Sequence, residues 1–263
     1  MNEILKKSSL SFSREEEKLV VKELCKRLVI ELEKKDKSGI YGVTQYQMAY
    51  NSNKIEGSKL TQNQTISLFE TGTVGGDGEI YHSKDIEHAN GHFLMFNNML
   101  GNYDAPLTVE MIKGYHYDLK AGVFEDKANG YKAGEFKERV NRVGSIATSR
   151  PEQVEQDMKA LLDWYHALAE VSIMDIAKFH IKYEQIHPFQ DGNGRTGRII
   201  LYKECLRNGL LPCIIHDENK SIYYHGLSEW QLHENHSPFM EYLKSEQAEY
   251  KKIIKEYLTV YSR

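Results

Sequence analysis

Hydrophobic residues recur at helical spacing from the N-terminal region onwards. Five apolar residues fall on one face of the first predicted helix: Leu19, Val20, Leu24, Leu28 and Leu32. Ser13 can cap this helix and Glu16 can reach back to the cap, which is the pattern of a capping box. We expect Gly39 to end the helix and residues 39–42 to form a break.

The same periodicity predicts helices over residues 85–100, 108–119, 151–170, 172–186 and 194–207, and over most of 224–258. Residues 172–186 are apolar nearly all round, so this helix is expected at the buried centre of the molecule. Residues 134–144 lack helical periodicity and are predicted to form a short β-hairpin or an extended flap. Residues 71–78, 122–134 and 216–224 are predicted to be connections. The predicted fold class is all-α with one short β-hairpin.

The pattern of elements divides the chain into three parts. Residues 1–104 are predicted to form an N-terminal helical segment, residues 107–245 a helical catalytic domain, and residues 246–263 a C-terminal helix. No internal repeat is visible.

Composition narrows the classes of protein that the chain can belong to. Its 263 residues are 40% hydrophobic and 27% charged, as in a soluble globular protein with a core. The net charge of -4 argues against nucleic-acid binding through bulk charge. No apolar run approaches the roughly 20 residues of a membrane-spanning helix, and residues 1–7 lack the apolar core of a signal peptide. Three cysteines without CxxC spacing, Cys25, Cys205 and Cys213, favour a cytoplasmic protein with reduced thiols.

Two pairs of histidines raise the question of a metal site. His88 and His92 lie four positions apart, a spacing that can bind a metal ion on a helix, and His233 and His236 form a second pair. No HExxH motif and no third ligand accompany either pair, so ordinary structural histidines are the favoured interpretation. The glycines of residues 71–78 are followed by no GK(S/T), which excludes a P-loop there.

The strongest chemical signal is the turn between the two helices predicted over 172–186 and 194–207. It reads His187-Pro188-Phe189-Gln190-Asp191-Gly192-Asn193-Gly194-Arg195-Thr196-Gly197-Arg198. Glycine leaves backbone N–H groups uncovered, and the N-terminus of the following helix adds a positive dipole end. Arg195 and Arg198 share a helical face and can both bind phosphate oxygens. The turn is therefore predicted to bind a phosphate group.

Two other residues of the turn suggest a reaction. Asp191 is a hard oxygen ligand suited to Mg²⁺ that bridges phosphates. His187 beside such a site is predicted to be a general base that takes a proton from an attacking hydroxyl group. Phe189 is expected to anchor the turn to the core. The reaction class is phosphoryl or nucleotidyl transfer, and the spacing does not say which phosphorus is attacked.

The turn resembles the signature of Fic-domain (fido) proteins, HxFx(D/E)GNGRxxR. All eight specified positions are met, which makes the match highly specific: His187, Phe189, Asp191, Gly192, Asn193, Gly194, Arg195 and Arg198. Residues 134–144 resemble the target-binding flap of the family. Tyr223-Tyr224 and Pro238-Phe239 resemble its C-terminal part, so the likeness covers residues 107–245.

The resemblance implies an AMP-transferase that uses ATP and Mg²⁺ to modify a Ser, Thr or Tyr hydroxyl of a protein, itself included. It gives His187 the role of base and Asp191 that of metal ligand. Residues 192–194 would cradle the α-phosphate, with Asn193 orienting it, while Arg195 and Arg198 hold the β- and γ-phosphates. The remaining implied nucleotide contacts are Asn141, Arg142, Val143 and Gly144 of the flap, with Tyr223 and Gln231 further downstream. Gly194 favours attack at the α-phosphate, because a relative with Lys at this place acts as a kinase.

The stretch 52–57, Ser52 to Gly57, matches the inhibitory pattern (S/T)xxxE(G/N) of the family. Taken alone, Glu56 is a surface carboxylate. Beside a complete signature, it is predicted to pair with Arg198 where the γ-phosphate should bind, as in the class with an N-terminal inhibitory helix. Ser52 lies one helical turn earlier on the same face.

Other functions remain open at this stage. One is a non-catalytic module that senses ATP. Others are transfer of UMP or phosphocholine, and the reverse reaction that removes AMP. The sequence does not decide between a monomer and a homo-oligomer.

Overall fold

The structure, a computed structural model, describes residues 12–75, 81–143 and 146–260. Its α-helices, in chain order, are α1 (Arg14–Glu33), α2 (Ile40–Ile55), α3 (Gln62–Thr71), α4 (Ser83–Gly101), α5 (Val109–Lys120), α6 (Phe124–Ala128), α7 (Val154–His166), α8 (Ile173–Ile186), α9 (Asn193–Arg207), α10 (Lys220–His233) and α11 (Ser237–Val260). Short 3-10 turns, Pro151–Gln153 and Asp217–Asn219, precede α7 and α10. The prediction of an all-α fold is confirmed over these described ranges. The N-terminal stretch tested for a signal peptide lies outside them.

Side-chain caps account for several helix starts. Ser13 and Glu16 form the predicted capping box at the start of α1. Ser172 and Asp175 form another at the start of α8. Helix α3 was not predicted, although Thr61 and Gln64 form a third capping box at its start.

The predicted break at residues 39–42 is wrong. Helix α1 ends before Lys35, which takes a left-handed φ of 55°. Gly39 is the N-cap of α2. A Cβ atom on Gly42 would lie 1.8 Å from the carbonyl oxygen of Lys37, so this glycine permits close packing instead of a break.

Two predicted connections also contain helix. The loop expected over residues 122–134 includes α6, and the connection expected over 216–224 includes the first turn of α10.

Helices α8 and α9 lie side by side, joined by the short turn that carries the predicted chemistry. Gly197 allows this approach, because a Cβ atom there would lie 2.4 Å from Oε1 of Glu184. Tyr183 and Tyr202 are completely buried between their neighbours, as expected for a central pair of helices. The hydrophobic core extends from α1 to α11. The three-part division of the chain stays a prediction.

Within the described residues, strand pairing is limited to two short segments. Arg142–Val143 (β1) pairs antiparallel with Ile146–Ala147 (β2), with Arg142 opposite Ala147. Residues 134–141, where the hairpin was expected to begin, contain neither helix nor strand. The flap hairpin itself stays a prediction, because residues 144–145 lie outside the described ranges.

Candidate active site

The turn between α8 and α9 has a left-handed residue at each end. His187 is the C-cap of α8, with φ 53° and ψ 62°. Gly192 is the N-cap of α9, with φ 85°. The first conformation costs a non-glycine residue free energy, whereas glycine adopts the second freely. These two bends turn the chain back, so the imidazole of His187 and the first backbone N–H groups of α9 belong to the same short turn.

Buried contacts immobilise the turn. Phe189 is fully buried, and its ring stacks on the imidazole of His116 from α5 with centroids 3.8 Å apart. Nε2 of His116 bonds the carbonyl oxygen of Asp191 at 2.9 Å, while its Nδ1 accepts from the N–H of Gly134. The predicted anchoring role of Phe189 therefore agrees with its burial.

The side chain of Asn193 is bonded inside the turn. It accepts from the N–H of Phe189 and donates to the carbonyl oxygen of the same residue, both at 2.8 Å. The residue is almost fully buried. Its predicted role in orienting the α-phosphate stays a prediction.

His187 has the protonation state that a general base needs. Burial, helped by the positive charge of Lys137, lowers its pKa to about 4. The ring is thus neutral at pH 7. Among the described residues its buried Nδ1 has no hydrogen-bond partner, and it lies 3.9 Å from Oε2 of Glu184. Nε2 is then the atom available for a proton from outside.

Asp191 is ionised and partly open to solvent. Burial alone would raise the pKa of its carboxyl group, but the charges of Arg195 and Lys120 outweigh burial and hold the pKa far below its usual value. Its Oδ2 lies 2.5 Å from Nζ of Lys120 and 3.1 Å from Nη2 of Arg195, and 46% of its side chain is exposed.

These properties suit a divalent cation bound mainly through phosphates. The described residues contain no cluster of three or more His, Cys, Asp or Glu that could hold a metal ion alone. Mg²⁺ in nucleotide sites often takes only one or two carboxylates and completes its shell with phosphate and water oxygens. An ionised, accessible Asp191 fits that use. Of the first histidine pair weighed as metal ligands, His88 bonds Lys120 and His92 is fully buried.

Both arginines of the signature are engaged by protein groups. Nη2 of Arg198 donates to Oε1 of Glu56 at 2.7 Å and to the carbonyl oxygen of Ser52 at 3.0 Å, and Nε donates to Oγ of Ser52 at 2.9 Å. Arg195 donates to Asp191 and, at 3.5 Å, to Asn53. The stretch 52–57 therefore contacts the signature directly, as the prediction required.

Glu56 lies at the entrance to the turn. It is the C-cap of α2, followed by Gly57 with φ 93°. Burial would raise the pKa of its carboxyl group, but Arg198 and Arg195 overcome that effect and lower it. A Cβ atom on Gly194 would lie only 2.5 Å from Oε1 of Glu56. A glycine at position 194 therefore gives the carboxylate room beside the first turn of α9.

The base of the proposed flap is joined to the same turn. Asn141 donates from Nδ2 to the carbonyl oxygen of Phe189 at 2.9 Å. Buried Lys137 donates to Oδ1 of Asn141 at 2.7 Å and to the carbonyl oxygen of Ile186 at 3.2 Å. Arg142 is exposed. Predicted contact Gly144 lies outside the described residues, and for Val143 only the backbone is described.

Two predicted nucleotide contacts lie elsewhere. Tyr223 is 1% exposed, and its hydroxyl bonds Nε2 of His180 at 2.8 Å within an aromatic cluster. The predicted adenine contact by Tyr223 is therefore wrong for this conformation, whereas the next residue, Tyr224, is 44% exposed. Gln231 is half-buried and donates to the carbonyl oxygen of Ile181 at 3.2 Å, which makes it a link between α10 and α8.

Cavities lie on two sides of this region. One of about 440 Å³ is lined by Glu56, Asp85, His88, Asp191 and Arg195, among others, and is strongly polar. Another of about 640 Å³ lies beside Ala147 and Thr148, between α7 and α8. The first adjoins the predicted phosphate ligands and can admit a polyphosphate chain. In the described ranges, no helix combines the length and apolar character needed to span a membrane.

Sequence reasoning missed three residues that position the site: His116, Lys120 and Lys137. His116 and Lys120 are separated by one helical turn and flank the apolar Tyr115 and Leu119 on α5. Polar residues next to a buried stripe were a usable signal, because a polar group that is buried needs a partner. Lys137 carried no comparable signal.

Comparison with known proteins places these observations in a family context. The model of the Fic/DOC family matches residues 106–205. Protein adenylyltransferase fic-1 of Caenorhabditis elegans is 26% identical over 204 residues, which are 76% of this chain and 39% of that protein. Protein adenylyltransferase Fic of Nematostella vectensis is 27% identical over 202 residues, or 75% and 46% of the two chains. The chain thus spans less than half the length of these curated relatives.

Solved structures show the same fold. A Fic-domain-containing signaling protein from Bacteroides thetaiotaomicron superposes with a TM-score of 0.73 at 24% identity, covering 88% of this chain and 95% of the other. Fic-1 from C. elegans superposes with a TM-score of 0.68 at 20% identity, covering 93% and 74%. At these identities the likeness concerns the fold.

Proposed function

The chain contains a Fic/DOC-family domain at residues 106–205, and on that premise we propose that it is an autoinhibited protein adenylyltransferase. It transfers AMP from ATP to a Ser, Thr or Tyr hydroxyl of a protein target, including its own. The observation that carries the proposal is a neutral imidazole, His187, in the same short turn as an ionised Asp191 and the N-terminus of helix α9. Relatives named as protein adenylyltransferases support it.

In the proposed reaction, Nε2 of His187 accepts the proton of the target hydroxyl. The hydroxyl oxygen forms a bond to the α-phosphorus of ATP, and the bond from that phosphorus to the bridging oxygen breaks, so pyrophosphate leaves. The low pKa of His187, about 4, keeps the ring ready to accept a proton at neutral pH. Backbone N–H groups at the start of α9 bind the α-phosphate, where the helix dipole favours the developing negative charge.

Asp191 would hold Mg²⁺, which when bound with ATP neutralises phosphate charge. Arg195 and Arg198 bind the β- and γ-phosphates. Both guanidinium groups are buried, so their attraction for phosphate is little weakened by water. Gly194 keeps the space beside the α-phosphate free of a side chain.

Glu56 blocks this arrangement in the resting protein. Its carboxylate bonds Arg198 at 2.7 Å, which is the group proposed to hold the γ-phosphate. ATP that binds beside an intact pair has its phosphates misaligned, and in-line transfer is sensitive to such displacement. Removal of the carboxylate frees Arg198 for the nucleotide.

The flap residues 141–144 are proposed to align the target. Asn141 supports this role, because it ties the flap to the carbonyl oxygen of Phe189 in the catalytic turn. Three free, buried cysteines support a cytoplasmic setting.

Labelling with ATP tests the proposal. The Glu56→Gly protein is incubated with Mg²⁺ and with ATP labelled either on the α- or on the γ-phosphate. We expect label on protein from the α-phosphate alone. Label from the γ-phosphate would identify a kinase, and no label from either would favour a binding module. Parallel reactions with UTP and CDP-choline distinguish the other transfers.

A further inference from the structure

The carboxylate proposed as the metal ligand is already paired with a buried ammonium group. Lys120, the last residue of α5, has only 3% of its side chain exposed, and its Nζ lies 2.5 Å from Oδ2 of Asp191. The same nitrogen lies 2.7 Å from Oδ2 of Asp126 and 3.2 Å from Nε2 of His88. Three acceptors from different segments of the chain therefore surround one positive charge.

This arrangement is built into the fold. Lysine is almost never fully buried unless it is paired. Here the stem of Lys120 packs under the catalytic turn, since a Cβ atom on Gly192 would lie 3.4 Å from Cδ of Lys120. His116, one turn earlier on α5, holds the backbone of Asp191. Helix α5 thus fixes both the main chain and the carboxylate of the proposed metal ligand.

We propose that the ammonium group of Lys120 is a built-in cation of the nucleotide site, which holds Asp191 in place and keeps a divalent ion from binding there without its nucleotide. The proposal rests on the proposed function in taking Asp191 as the metal ligand. Lys120 is a positioning residue, because it acts through Asp191 and is too buried to reach the substrate.

The expected behaviour follows from charge. A free divalent cation near Asp191 is repelled by an ammonium group that occupies one carboxylate oxygen, and such repulsion at a few ångströms is strong in a partly buried site. The metal ion of a metal–ATP complex brings phosphate oxygens that satisfy its shell and offset the repulsion. Metal and nucleotide are then bound together, and the turn does not collect free divalent ions.

Binding of Mn²⁺ in the absence of nucleotide tests the proposal, with electron paramagnetic resonance as the readout. Lys120→Met retains the volume of the stem and removes the charge. We expect it to bind Mn²⁺ at least about tenfold more tightly than the unmodified protein, and the gain to vanish in Lys120→Met with Asp191→Asn. Lys113→Met is the matched control, because it removes an equal charge from the same helix, where Lys113 pairs with exposed Glu135. Equal Mn²⁺ binding by Lys120→Met and Lys113→Met would overturn the proposal.

A second pair of variants decides the question if Lys120→Met does not fold. Asp126→Asn leaves Asp191 as the one carboxylate that balances Lys120. We expect the Mg²⁺ concentration for half-maximal binding of a fluorescent ATP analogue to rise at least about threefold. The control, Glu110→Gln, removes the same charge from the exposed first turn of α5, outside the residues that line the polar cavity. Equal shifts in both variants would contradict the proposal.

These measurements separate the proposal from the enzymatic function. Neither readout requires AMP transfer. A protein that transfers AMP but shows no gain of Mn²⁺ binding in Lys120→Met refutes the role of Lys120 alone. A gain of Mn²⁺ binding that depends on Asp191, in a protein without transfer activity, supports the role of Lys120 and refutes the transferase.

Discussion

Asp191 and Arg198 belong to one turn-and-helix unit, yet the protein holds them with contacts of different kinds. Asp191 is held from α5 by two groups that are themselves buried, the imidazole of His116 and the ammonium group of Lys120. Arg198 is held from the end of α2 by Glu56, whose side chain is 31% exposed. The difference separates the buried contacts that hold Asp191 from the partly exposed contact that is proposed to close the site.

Ser52 makes the closing contact removable. It is buried inside α2 and accepts two hydrogen bonds from Arg198, one at its hydroxyl oxygen and one at its carbonyl oxygen. If Glu56 moves away, Arg198 retains both bonds. Under the proposed function, the guanidinium group would stay in position for a phosphate after the carboxylate leaves, as a reversible block requires.

The largest effect on AMP transfer is expected for His187, the proposed general base. In a Glu56→Gly background, His187→Ala should lower AMP transfer about 10²- to 10⁴-fold, because general-base catalysis is lost. Binding of a fluorescent ATP analogue should be nearly unchanged, since the phosphates are held by other residues. Transfer that persists at the original rate would mean that another group is the base.

Phe189→Ala and Glu56→Gly should differ in their effect on the free energy of unfolding. Phe189 is fully buried and stacks on His116, so its removal should cost about 3–5 kcal/mol of unfolding free energy. Glu56→Gly removes a carboxylate that is 31% exposed, and buried Arg198 keeps its two hydrogen bonds to Ser52, so the loss should be smaller, about 1–3 kcal/mol. Urea denaturation of both variants checks the contrast. Similar losses would place Glu56 among the structural contacts.

Glu56→Gly removes the contact with Arg198 and should raise the rate of self-modification by about tenfold to a hundredfold. Coupling between two sites of a protein typically has an effect of this size. Gly194→Ala should instead lower the rate of self-modification by about twofold to fivefold, because the added Cβ atom enters the space proposed for the α-phosphate. That atom would also lie 2.5 Å from Oε1 of Glu56 and 2.9 Å from Nη1 of Arg198. Initial rates with α-labelled ATP measure both variants. In the Glu56→Gly background, Gly194→Ala should still lower the rate; an unchanged rate there would refute crowding of the α-phosphate as the cause.

The smallest effect concerns pH. Because burial and Lys137 lower the pKa of His187 from 6.5 to about 4, the base is neutral throughout the neutral range. Transfer by Glu56→Gly should change less than about twofold between pH 6 and 8 through this group. The depressed pKa also means that the contribution of His187 to stability is complete above pH 6.5 and is lost as the pH falls towards 4. A titration of the His187 imidazole by NMR that gives a midpoint near 6.5 would contradict both statements.

The sequence was sufficient for features that depend on local pattern. The bounds of α9, the capping box of Ser13 and Glu16, and the burial of Phe189 all follow from spacing and residue type. The contact of Glu56 with Arg198 was also predicted, since the resemblance to the Fic signature identified one partner and the match to the family's inhibitory pattern identified the other.

Contacts between distant segments were not predictable in the same way. The pairing of Lys120 with Asp191 joins residues far apart in sequence, and a lysine at a helix end is usually solvated. Tyr223 was assigned to the nucleotide by analogy, but tertiary packing against His180 buries it. Gly39 was taken for a terminator, although a glycine in extended conformation serves equally well before a helix. In each case the outcome depended on the surrounding residues, which the local sequence pattern does not identify.

The left-handed backbone at His187 makes the residue that is proposed for activity unfavourable for thermal stability. A side chain with a Cβ atom is disfavoured there by about 1 kcal/mol or more relative to glycine, yet His187, the proposed general base, occupies this position. Laboratory selection for heat resistance alone should therefore favour glycine or asparagine at position 187 and yield robust, inactive proteins. Screens for improved variants of this chain need an activity requirement at every round.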